Sequence, residues 1–102
     1  MRLLELVIAE FITITEYLQE ENNVENNKII IERETFKTLL EKYGYLTFKE
    51  KCKIYKQLNF LIHDNNNYTM PCRIEGKTER KVVINFDTYV IIKELYNTIA
   101  EN

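Results

Sequence analysis

Two amphipathic segments stand only four residues apart, and the second opens with its own start signal. Residues 34–43 set Phe36, Leu39, Leu40 and Tyr43 on one side of a helix. Gly44 follows, where a left-handed C′ glycine is expected to end that helix. Thr47-Phe48-Lys49-Glu50 then has the spacing of a capping box. The Thr hydroxyl accepts from the N–H three residues on, and the Glu reaches back to the Thr N–H. This predicts a helix from Phe48 to about Leu58. With only Gly44, Tyr45, Leu46 and Thr47 between them, the two helices are bound into a helix-turn-helix.

The flanks complete an α+β pattern. Residues 2–21 repeat apolar side chains at helical spacing over more than half the girth, so this helix is expected to pack on two sides. Residues 22–27 read as a polar loop and Lys28–Glu32 as a short β-branched strand. Beyond the helix-turn-helix come three β-like pieces, 60–62, 68–74 and 80–85. Two apolar sets alternate there, Met70-Cys72-Ile74 and Val82-Ile84. Sharing a face requires Met70 opposite Val82, hence a three-residue loop, Glu75-Gly76-Lys77. Pro71 then belongs on a sheet edge. Asp87 is expected to cap a last helix from Thr88 to about Ala100. The length of 102 residues suits one domain spanning 1–102.

Charge is divided along the chain. Residues 1–34 carry three basic and eight acidic side chains, and residues 47–81 carry eight basic and four acidic. On the Phe48–Leu58 helix, Lys49, Lys53 and Lys56 fall within about 60° of one another. Phe48, Cys52 and Tyr55 take another side, so the lysine row is expected to face away from the core.

The order helix, strand, helix, tight turn, helix, hairpin resembles the winged helix-turn-helix superfamily over about residues 1–86. Its most specific stretch is Leu58-Asn59-Phe60-Leu61-Ile62, then the polar turn 63–67 and Tyr68-Thr69. Asn59 stands where such proteins often have glycine; among residues with a side chain, Asn tolerates the left-handed conformation well. Small plasmid and phage regulators, replication proteins and partition adaptors look like this. The resemblance implies binding to double-stranded DNA, with the Phe48–Leu58 helix in the major groove and a wing on phosphates. The expected contacts are Thr47, Lys49, Lys53, Lys56 and Gln57 on the helix, and Arg73, Lys77, Arg80 and Lys81 on the wing. It also implies a homodimer built by segments 1–21 and 88–100, through Leu3, Leu6, Ile12, Tyr89, Ile92, Tyr96 and Ile99.

The composition offers little for catalysis. His63 is the only histidine, Gly44 and Gly76 are the only glycines, and Cys52 and Cys72 have no metal-ligand spacing. No enzyme, metal or cofactor is expected. Glu5, Glu10 and Glu16 interrupt the apolar N-terminal run as a secretory leader would not allow, so a cytoplasmic protein with reduced thiols is expected. The alternative is a protein partner in place of DNA: a phage-type inhibitor module, such as an anti-CRISPR, on the same scaffold.

Overall fold

The computed structural model describes residues 2–101, with side chains through Ile99. Among these residues four helices, α1 (Leu3–Glu21), α2 (Arg33–Glu41), α3 (Phe48–Gln57) and α4 (Phe86–Glu101), accompany four antiparallel strands, β1 (Lys28–Ile31), β2 (Leu61–Ile62), β3 (Met70–Ile74) and β4 (Lys77–Asn85). The fold is α+β. β4 is the hub: its second half lies between β1 and β2, with Ile31 opposite Val82 and Leu61 opposite Ile84, and its first half pairs with β3.

The β3–β4 hairpin differs from the expectation by one residue. Met70 faces Lys81, not Val82, because the loop is the two residues Glu75-Gly76. Both take positive φ, 51° and 81°, the twist that a two-residue hairpin needs. Val82 and Ile84 are drawn off by β1 and β2, so β3 is left to pair with the polar half of β4. Arg73 is accordingly opposite Thr78. Pro71 lies on β3, an edge strand. Two helix boundaries also moved. Asn85, not Asp87, caps α4, through its Oδ1 and the Thr88 N–H. Gly44 is not left-handed, and α2 ends at Glu41. Asn59 does take the left-handed conformation, φ 59°.

The core lies between the helices and one face of the sheet. Phe11 stacks on Phe60 at 3.9 Å, and Tyr55 meets both edge-on. Ile29, Leu61, Val82 and Ile84 supply the buried sheet face. Burial of each such side chain is worth about 1.5–3 kcal/mol.

Within this apolar interior sits a charged pair. Lys51 of α3 and Glu10 of α1 are 2.7 Å apart, each side chain 1 % exposed. The ammonium also donates to the Leu40 and Tyr43 carbonyls, which closes the end of α2. That is why the helix needs no glycine cap. The other Glu10 oxygen accepts from the hydroxyls of Tyr45 and Tyr55, at 2.8 and 2.7 Å. One network thus ties α1, the end of α2, the α2–α3 turn and α3.

These hydroxyls make the fold sensitive to alkali. Burial, and then Glu10, push the Tyr55 and Tyr45 hydroxyls well above their ordinary value. Burial, and then Glu16, raise Tyr89 to about 12. The Cys52 thiol is pushed up to about 12 by burial. Unfolded tyrosine titrates near pH 10 and cysteine near about 8.5. The native state therefore holds more protons above those values. Stability should be steady from about pH 6 to about pH 8.5 and fall steeply beyond about pH 10. Each tyrosine hydroxyl contributes at most about 1.4 kcal/mol per pH unit until its folded value is reached. Urea unfolding midpoints at a series of pH values check this, and a midpoint that does not move up to about pH 11 would contradict it.

Candidate nucleic-acid interface

The capping box forms with both its reciprocal bonds. Thr47 Oγ1 accepts from the Glu50 N–H at 3.2 Å, and Glu50 Oε1 accepts from the Thr47 N–H at 3.1 Å. The Thr47 hydroxyl also donates to Glu50, which holds that carboxyl below its ordinary value. Glu50 is thereby occupied at the helix start. Thr47 is exposed, but its hydroxyl is already committed to the cap.

From this start, α3 turns Lys51, Cys52 and Tyr55 inward. Lys49, Lys53 and Gln57 are exposed, and Lys56 is half-buried at the boundary. None of Lys49, Lys53 and Lys56 enters an ion pair among the described residues. Three cations thus occupy the outward side of one short helix, with a neutral donor and acceptor, Gln57, beside them.

The hairpin supplies less than the sequence predicts. Arg73 and Lys77 are exposed and have no ion pair among the described residues. Arg80 is engaged: its guanidinium donates to Asp64, to Thr69 Oγ1 at 2.8 Å and to the Thr69 carbonyl at 2.9 Å. It fastens the base of the hairpin to the 63–69 turn. Lys81 is 5 % exposed and bonded to Glu32 and Glu79. The one-residue register shift puts Lys81 opposite Met70, and Glu32, just before α2, reaches it there. The carboxylates, Glu32 first, raise the lysine above its ordinary value. Arg80 and Lys81 are structural in this arrangement. Of the predicted contact residues, the cations with no ion pair among the described residues are Lys49, Lys53, Lys56, Arg73 and Lys77.

Tyr68, expected in a strand, lies in the bend just before β3 and positions the hairpin. Its ring meets Phe48 at 5.6 Å and Phe36 at 6.1 Å, so β3 starts beside the first turn of α3. Lys51 and Glu10 were also missed as positioning residues. The signal was available for one of them: Lys51 falls on the Cys52–Tyr55 side of the helical wheel.

The expected dimer residues divide. Ile12 and Tyr89 are buried inside the subunit, and Leu6 and Ile92 are half-buried. Tyr89 packs on Phe11 and donates to Glu16 at 2.7 Å. Lys93 pairs with the same carboxylate at 2.9 Å and, with Tyr89, holds it below its ordinary value. These contacts join α1 to α4 within one chain. Leu3, Tyr96 and Ile99 remain exposed.

No helix among the described residues is long and apolar enough to cross a membrane, and none of their His, Cys, Asp or Glu side chains group as a metal site would require. No protein-family model matches the chain, and comparison with curated proteins finds no relative.

Proposed function

We propose that this chain is a winged helix-turn-helix protein that binds double-stranded DNA. In this reading α3 enters the major groove and the β3–β4 hairpin is the wing. The strand order β1-β4-β2, with the α2–α3 pair between β1 and β2, supports the fold assignment. The observation that carries the function is the outward side of α3, where Lys49, Lys53 and Lys56 have no carboxylate partner among the described residues.

Their ammonium groups meet phosphates, and Lys49 or Lys53 can reach guanine O6 and N7. Gln57 is placed to read adenine. Arg73 and Lys77 add phosphate contacts from the wing. The exposed acids of α1 repel the polyanion and set the orientation. Such a protein acts in the cytoplasm by occupancy, in transcription control, replication or partition of a mobile element, and needs no catalysis and no cofactor.

Fluorescence anisotropy with labelled duplexes from the DNA flanking its own gene tests the reading. Five phosphate contacts per protomer predict an affinity loss of about 10²–10³-fold between about 50 and 200 mM salt. Lys77→Ala should lower the slope by about one without changing sequence preference. Absence of binding at the lower salt, with a protein recovered as partner instead, would replace DNA by a protein ligand.

A further inference from the structure

The strand that leads from α3 into the hairpin is broken. β2 ends at Ile62, opposite Val83, and β3 begins at Met70, opposite Lys81. Residues 63–69 therefore stand against Val82 alone. Across this break the hairpin is carried by β4, which runs on without interruption. Among the described residues, no hydrogen bond or ion pair made by residues 71–79 reaches outside the two strands of the hairpin. Tyr68 seats the start of β3 beside α3, but ring packing at one end of a ribbon does not set its tilt.

Two neighbours on β4 can set it. Successive side chains of a strand point to opposite faces, so Arg80 lies on the face of the buried Val82 and Lys81 on the other. Arg80 is tied to both ends of the break, to Asp64 near its start and to Thr69 at its end. Lys81 is tied to Glu32, the residue just before α2. The base of the hairpin is thus braced from both faces, once to the 63–69 segment and once to the helix-turn-helix. The Lys81 side chain is only 7 % exposed, so its ammonium has little water to take in exchange for a carboxylate.

We propose that Asp64 and Glu32 are positioning residues: through Arg80 and Lys81 they fix the angle at which the hairpin projects beside α3. The consequence for binding rests on the DNA reading above, in which that angle brings Arg73 and Lys77 to the duplex that α3 enters. Two acids then promote binding to a polyanion that their charge alone would repel.

Asp64→Ala with Glu32→Ala tests this, since neither carboxylate has another partner among the described residues. Without DNA, residual dipolar couplings of residues 72–79 should fit one orientation with α1–α3 in the wild type. In the variant they should depart from it, while couplings within α1–α3 keep their values. Couplings of 72–79 that stay on the wild-type orientation overturn the proposal. With DNA, removing two negative charges would by itself tighten binding; the variant should instead bind about fivefold or more weaker at moderate salt. Lys77→Ala, which should lower the wild-type salt slope by about one, should leave the variant's slope nearly unchanged. Tighter binding, with a full Lys77 effect in the variant, overturns the proposal as well. If the double variant does not fold, Asp64→Ala and Glu32→Ala singly carry the same comparisons. A wild type that binds no duplex ends the DNA reading, and the couplings then decide by themselves whether the two acids hold the hairpin.

Discussion

Replacing Lys51 by Met should destabilise the domain by about 3–5 kcal/mol, the usual cost of breaking a buried ion pair from one side. The side chain is 1 % exposed and its ammonium has three oxygen partners. Met fills similar space but donates nothing. Glu10 would then remain as a buried carboxylate with only the two tyrosine hydroxyls, and the Leu40 and Tyr43 carbonyls would lose their shared donor. For a domain whose whole stability is about 5–15 kcal/mol, this removes between about a fifth and all of it. Adding Glu10→Gln should restore part of the loss, because the amide oxygen keeps the two hydroxyls while the uncompensated charge is gone. Urea unfolding of the wild type, Lys51→Met, Glu10→Gln and the double variant measures this. A Lys51→Met loss below about 1 kcal/mol would show that the pair is not the closed, dry network described above.

The second large effect is on binding. Lys49→Glu with Lys53→Glu should weaken binding to duplex DNA by about 100-fold or more at moderate salt, since two phosphate attractions become two repulsions. Both residues are exposed and have no ion pair among the described residues, so stability should change by no more than about 0.5 kcal/mol. Lys28→Glu with Arg2→Glu, equally exposed and with the same change in net charge, is the control for net charge alone and should have a much smaller effect. Anisotropy titrations at matched salt check the comparison. Equal losses in the two variants would make the interaction one of overall charge and leave α3 with no special part.

The helices were legible because their signals are local. Thr47 and Glu50 are three residues apart, and both capping bonds form. Asn59 adopts its left-handed turn within the stretch that pointed to the fold. What the sequence hid depends on distant partners. The hairpin register follows from β1 and β2 claiming Val82 and Ile84, which no inspection of residues 68–85 alone reveals. Lys81 looks like a wing cation until Glu32, 49 positions away, reaches it. The end of α2 looks like a glycine stop until Lys51 is found donating to the Leu40 carbonyl in its last turn and to the Tyr43 carbonyl just beyond it. For the same reason the candidate site was only partly readable. A charge pattern shows where lysines lie on a helix, but their availability depends on carboxylates brought from elsewhere in the chain. Lys49, Lys53 and Lys56 have no such carboxylate among the described residues, whereas Arg80 and Lys81 do.

Amide spectra recorded while duplex DNA is added probe the interface most directly. The account predicts shifts confined to residues 47–57 of the α3 segment and 73–77 of the hairpin, with residues 90–99 of α4 unchanged. Shifts centred on the acidic α1 or on α4, with none on α3, would contradict it.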